Sequence, residues 1–365
     1  MANQLERHAL LNEVYTAHPK KRYINRVNIP PDKVSFLPPI FFLPFLTNKI
    51  KIFGRLTSFL NERLPVLFDT WVSTKIKKTD VLIVWAWAGL ETITKVKKQG
   101  GTVILEECGS CNKFQNKILD EEYKRLGLPY LKPTSTYIVN RELKEAALAD
   151  YILCPSQHVA RSFIENGFEE KKCKIIPYGV NIDLFKPFEI EKTDFTIIFV
   201  GSIGVRKGLV YLFEALEICK AKYPVNCLVI GKVDVEFQKI FDRYKHLFTH
   251  VERVEHQEIV NYYNSSSVFV LPSLDEGMAY VQLEAMACGL PIICTPNSGA
   301  EAIVINGEQG YMVPIRNSQQ IAEKIEILYL NNDLLKIMSK KAYATAQNFS
   351  WNAYGRKLAE FISQI

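Results

Sequence analysis

Two glutamates, Glu276 and Glu284, stand eight positions apart in SLDEGMAYVQLEAMACGLPIICT, residues 273–295. The stretch reads as a loop, a helix starting near Ala279 and a buried strand. One carboxylate therefore precedes the helix and the other lies along it, and eight helical positions span about 12 Å. A purely structural helix needs neither. Upstream, FVGSIGVRKGLVYLFEAL (199–216) ends a strand at Val200, turns through Gly201, Gly204 and Gly208, and starts a helix near Gly208. Backbone N–H groups at a helix start attract anions, and Arg206 and Lys207 add mobile positive charge there. The loop lacks the GK[ST] ending of a P-loop and the GxGxxG spacing of a dinucleotide site. Two anion-friendly helix starts, two cations and two hydroxyl-accepting carboxylates suit a sugar, two phosphates and a ribose strung in line. The residue types match a nucleotide sugar.

The elements that must hold these residues follow an α/β rhythm. From about residue 80, short apolar strands such as DVLIVWAW, GTVILEE and DYILCPS alternate with amphipathic helices such as GLETITKVKKQG and QHVARSFIENG. Strands without polar alternation, separated by helices, indicate a parallel sheet covered on both faces. PYGVNIDLFKPFEIEKTD (177–194) interrupts the rhythm, which restarts at FTIIFVGS. We expect a Rossmann-like domain over 1–180, a second over 181–348 and a terminal helix over 349–365, starting at Trp351 after a Ser350 N-cap and packing back on the first domain. Two such domains face each other across a cleft at the C-terminal edges of their sheets, where ligands of open α/β sheets bind.

Composition narrows the class. A chain of 365 residues with 48% apolar and 23% charged residues is an ordinary globular protein of two domains. MANQLERHALLNE has charges where a signal peptide needs an apolar core, and no apolar run reaches the roughly 18 residues of a membrane span. Eight scattered cysteines fit reduced thiols of a cytoplasmic protein. Cys108 and Cys111 form one CxxC without the second pair that zinc requires, leaving a redox pair or coincidence. The six histidines show no metal spacing. Residues 1–80 hold 13 Lys and Arg against 6 Asp and Glu, a net +7 within the chain's +6. With IFFLPFLTNKIKIFGRL (40–56), that basic region suits peripheral contact with an anionic membrane, against the plainer reading of a solvated face and a buried segment. No nucleic-acid motif accompanies the charge. Trp85 and Trp87 sit at strand spacing; sugar stacking is one reading and core packing the one we favour.

The combination FVGSIGVRKG, LPSLDEGMAYVQLEAMACGLPII, SGAEAIVINGEQGYMVP and the linker IPYGVNIDLFKP resembles the retaining GT-B glycosyltransferases of family 4, the glycosyl transferases group 1. GSCNKFQNKILDEEYKRLG and ADYILCPSQHVARSF carry a looser likeness in the first half. The resemblance implies that Glu276 contacts donor sugar hydroxyls and that Gly277, Met278, Ala279, Tyr280 and Val281 offer backbone groups to sugar and phosphate. It places Glu284 on the ribose, Lys207 on the pyrophosphate, and the base near Arg253 and Val254. Gly201 and Ser202 open the phosphate loop. It further implies transfer with retention, no cofactor and no essential metal.

Three departures stand out. Relatives often have arginine at Ser202, a loss for which Arg206 is the candidate compensation. They often have a histidine where this chain has Asn112, in a loop with Glu107 and Ser110. They open with a strand and glycine-rich loop, whereas MANQLERHALLNEVYTAHP looks like the helix and second strand that follow, so the first strand is expected to be missing. The expected function is hexose transfer from a UDP- or GDP-linked sugar to a saccharide or lipid-linked acceptor, on the cytoplasmic side and peripherally on the inner membrane face. The alternative is a catalytically impaired nucleotide-sugar-binding partner subunit. A third class, an NAD-dependent dehydrogenase, lacks its glycine fingerprint.

Overall fold

The computed structural model describes residues 1–17, 29–37, 54–129, 134–188, 190 and 194–365. Most of the stretch weighed for membrane contact, 40–53, lies outside them. Among the described residues, no helix is long and apolar enough to cross a membrane.

The first half opens with α1 (Ala2–Arg7), and β1 (Val14–Thr16) pairs in parallel with β2 (Val34–Phe36). Helix α2 (Gly54–Lys75) follows. Then come β3 (Val81–Trp85), α3 (Leu90–Lys98), β4 (Thr102–Glu106), α4 (Asn112–Arg125), α5 (Thr136–Leu148), β5 (Tyr151–Cys154), α6 (Gln157–Ile164) and β6 (Cys173–Ile175). The four strands β3 to β6 form a parallel sheet in sequence order. Val103, Ile104, Leu105 and Ile152 are wholly buried, as expected for strands covered on both faces.

The second half comprises β7 (Thr196–Val200), α7 (Leu209–Lys220), β8 (Asn226–Ile230), α8 (Gln238–Tyr244), β9 (Thr249–Val251), α9 (Ile259–Asn264), β10 (Val268–Leu271), α10 (Tyr280–Ala287), β11 (Ile292–Cys294) and β12 (Gly310–Met312). Helices α11 (Ser318–Leu330), α12 (Asn332–Ala346) and α13 (Trp351–Ile362) complete it. Its sheet runs β12-β11-β10-β7-β8-β9, all parallel. The chain winds outward from β7 to β9, then returns to the other side of β7 with β10. That reversal opens a crevice at the C-terminal ends of β7 and β10. The loops following those two strands carry Arg206, Lys207 and Glu276.

The halves are joined by two chain crossings lying side by side. Val180 N–H donates to the Phe349 carbonyl at 2.7 Å, just before Ser350 caps α13. Helix α13 returns to the first half: the Phe361 and Tyr151 rings meet edge to face at 5.1 Å, and Arg7 donates to Asn352 at 2.6 Å.

Candidate functional site

The loops after β7 and β10 fit together through backbone contacts. Gly208 has a φ of +64°, and a Cβ on it would stand 2.1 Å from the Pro272 carbonyl oxygen, so only glycine allows this approach. Leu274 N–H donates to the Arg206 carbonyl at 2.9 Å. Held this way, Lys207 Nζ and Arg206 Nη1 both donate to Glu276 Oε1, at 2.6 and 2.5 Å. Arg206 also donates to the Asp275 carbonyl at 3.1 Å. Burial holds the Lys207 ammonium below its ordinary range, against the opposing pull of Glu276 and with help from the Arg206 charge. Two cations sharing one carboxylate leave positive charge at the switch point, where an anion can take it up.

Helix α10 begins directly beyond this pair. Its N-cap is Ala279, whose methyl group cannot accept a hydrogen bond, so no side chain caps the first turn. Met278 and Ala279 are buried in the loop before it. Glu284 lies in the second turn, buried, and accepts from His256 Nε2 at 2.9 Å and from the Tyr263 hydroxyl at 3.3 Å. One carboxylate therefore sits on each side of the helix start.

The first half closes on the same loop. Ser156 caps α6, accepting from Val159 N–H, and its hydroxyl donates to the Gly277 carbonyl at 2.5 Å. His158 Nε2 lies 2.8 Å from Asp275 Oδ1, and Gln115 on α4 donates to Asp275 Oδ2 at 2.7 Å. Burial works against ionisation of Asp275, but the His158 hydrogen bond and charge outweigh it and hold the carboxyl below its ordinary range. A Cβ on Gly277 would stand 1.9 Å from the Cys108 carbonyl oxygen. The contact continues at buried Glu122, which accepts from the Tyr211 hydroxyl and from Arg316 Nε at 2.5 Å. The cleft is narrow here, with α4 and α6 against the loop that precedes α10.

The other expected site residues are placed as follows. Gly201 and Ser202 open the loop after β7, and Tyr280 and Val281 form the start of α10. Arg253 and Val254 follow β9; the Arg253 side chain points largely to solvent and pairs with Glu255 at 3.5 Å. Asn112 starts α4, but its amide donates to Glu142 at 2.5 Å and accepts from Thr134 at 2.8 Å. That side chain is engaged inside the first half, and Gln115 is the α4 residue that reaches across. Burial pushes Glu142 up to about 7. Cys108 is exposed and Cys111 buried, its thiol donating to Glu142 at 3.6 Å, and both are free thiols. Among the described residues, no group of three or more His, Cys, Asp or Glu side chains is placed to hold a metal.

Sequence reading missed His158, Ser156, Gln115, Asp275, His256 and Tyr263. A Ser-x-His at a helix start flags the α6 cap, but not its partner more than a hundred residues away. Trp85 and Trp87, expected in the core, are 63% and 40% exposed. They stand where β3 ends, at the open edge of the sheet.

Residues 181–345 match the family described as glycosyl transferases group 1. The capsular polysaccharide biosynthesis glycosyltransferase CapM of Staphylococcus aureus is 32% identical over 187 residues, covering 46% of this chain and 48% of CapM. The chain spans about half the length of the curated relatives it matches. Among solved structures, Anabaena HepE in complex with UDP and glucose superimposes with a TM-score of 0.70 at 17% identity, over 100% of this chain and 95% of HepE. Sucrose-phosphate synthase from Thermosynechococcus elongatus gives 0.66 at 20% identity, over 83% and 77%. The fold is GT-B. The expectation of two Rossmann-like domains facing across a cleft is met.

Proposed function

We propose that this chain is a retaining glycosyltransferase of the family 4 type. It moves a hexose from a nucleoside-diphosphate sugar, UDP-linked before GDP-linked, to a saccharide or lipid-linked acceptor in polysaccharide or glycoconjugate assembly. The observation that carries this reading is the shared grip of Lys207 and Arg206 on Glu276 beside the uncapped start of α10, with Glu284 buried farther along. The group 1 match over this half, the likeness to CapM and the UDP and glucose bound by HepE support it.

In this reading the donor diphosphate draws Lys207 and Arg206 off Glu276, freeing that carboxylate to accept hydrogen bonds from sugar hydroxyls. Glu284, steadied by His256 and Tyr263, receives the ribose hydroxyls. The bond from the anomeric carbon to the diphosphate oxygen breaks as the acceptor oxygen bonds to the same face of that carbon. The departing phosphate takes the acceptor's proton. Positive charge at Lys207 and Arg206 and the N–H groups of α10 stabilise the negative charge that develops, an effect strongest in a dry, closed cleft. These groups supply the charge without a metal ion. The basic first 80 residues suit work at the cytoplasmic face of a membrane.

A partner subunit that binds the donor without turning it over is the second reading, favoured by Asn112 being held by Glu142 and Thr134. Incubation with UDP-hexoses and free saccharides, in EDTA, tests the first. NMR should detect a glycoside with the donor's anomeric configuration. An inverted product, or nucleotide binding without product across the panel, would contradict it.

A further inference from the structure

At the C-terminal edge of the first sheet, strand β3 ends at Trp85 and the chain turns through Ala86 and Trp87. Trp87 has a φ of +61°, the left-handed region, where a bulky residue is rare and found chiefly where function holds it. A buried network keeps it there. Glu145 accepts from the N–H groups of Trp87 and Gly89, the latter at 3.0 Å, while Arg141 donates to the Trp87 carbonyl at 3.0 Å. Arg141 is itself paired with buried Asp69, which accepts from the first N–H groups of α3 at 2.8 and 2.9 Å. So much fixed structure, spent on holding an indole that remains exposed, is not explained by packing.

Trp85 stands directly opposite Glu106 in the β3–β4 ladder. Glu106 is 6% exposed and its Oε2 has no hydrogen-bond partner; buried Glu107 likewise has a free Oε1. The charge of Glu106 also acts on Tyr178 and Tyr280, whose rings stack at 4.9 Å. Tyr280 is the first residue of α10, so this edge adjoins the donor site.

We propose that Trp85, Trp87 and Glu106 form a seat for a neutral saccharide, the sugar that receives the transferred hexose; this rests on the function proposed above. An indole face is negative and takes the apolar C–H face of a pyranose ring. The unpartnered Oε2 of Glu106 accepts sugar hydroxyls, and the ionised Glu106 carboxylate disfavours a phosphate at the same spot. The phosphate of a lipid carrier therefore lies outside this seat, with only its sugar upon it.

The test uses the full chain with UDP present and a panel of methyl glucosides, galactosides and N-acetylglucosaminides at millimolar concentration. Binding is read by saturation-transfer NMR. Trp87→Gly removes the ring and suits the left-handed backbone, so its thermal midpoint should hold or rise. In Trp87→Gly and Trp85→Ala the saccharide signal should fall at least tenfold while UDP affinity stays unchanged, and Trp87→Tyr should retain part of it. Glu106→Gln should weaken the saccharide. A saccharide signal unaffected in both tryptophan variants overturns the proposal, as does the absence of any signal. Tighter binding of glycerol phosphate in Glu106→Gln, without a saccharide signal, overturns it in favour of an anion. If UDP fails to bind but the tryptophan-dependent signal persists, the seat stands and the donor reading falls.

Discussion

At the scale of single residues, the proposed function gives Glu276 the donor sugar and Glu284 the ribose. Glu276 neutralises two buried or half-buried cations, and Glu284 is anchored by two neutral or polar partners. Glu284→Ala should therefore weaken UDP binding at least tenfold. Glu276→Ala should leave UDP affinity unchanged or tighter, because it releases Lys207 and Arg206, while turnover falls by about 100-fold or more. Calorimetry and steady-state kinetics on both variants check this division, and equal losses of affinity would contradict it. Glu276 and Glu284 stood out in the sequence because they share the one stretch 273–295, and Lys207 because it lies in the glycine turn after β7. His256 and Tyr263 did not, since their hydrogen bonds to Glu284 join segments more than twenty residues apart that meet only in the fold. Arg253, named as a base contact by resemblance, points largely to solvent.

At the scale of elements, strand and helix order was readable from apolar runs, glycines and caps: α7 starts after Gly208, α10 after Ala279 and α13 after Ser350. What lay beyond the sequence was which elements oppose one another. The α6 cap turning outward to Gly277 and the buried Glu142 and Glu145 of α5 are products of packing between distant segments. Burial raises both of these glutamates to about 7 from an ordinary value near 4.5. Their protonated forms favour the fold, a contribution fully present below the ordinary value and lost as pH rises through about 7. Asp275, held below its ordinary range, stays ionised from pH 5.5 to 8 and adds no slope there. The thermal midpoint should be several degrees higher at pH 5.5 than at pH 8, and Glu142→Gln should flatten that difference. A midpoint that rises toward pH 8 would contradict the assignment.

At the scale of the whole molecule, the reversal of winding between β7 and β10 puts the loop of Glu276 at the sheet edge that faces the first domain. Closure is then limited by backbone contact at Gly277, where an added methyl group collides with the Cys108 carbonyl. Gly277→Ala should hold the domains apart, giving a larger radius of gyration by small-angle scattering that UDP does not reduce. An unchanged radius would mean that the loop yields instead. Two α/β halves and a cleft were foreseeable from the repeated α/β rhythm. The described first-half sheet runs β3 to β6 in sequence order, and only the second half reverses its winding. The closeness of that cleft was not foreseeable, because it depends on Ser156, His158 and Gln115 meeting one loop.

The donor site is the central claim, and a calorimetric titration with UDP, GDP, ADP and NAD in EDTA tests it most directly, on the unsubstituted chain and on Lys207→Ala. We expect one nucleoside diphosphate, UDP first, to bind with micromolar affinity and to lose at least tenfold when Lys207 is removed. Equal binding in Lys207→Ala, or preference for NAD, would contradict the account.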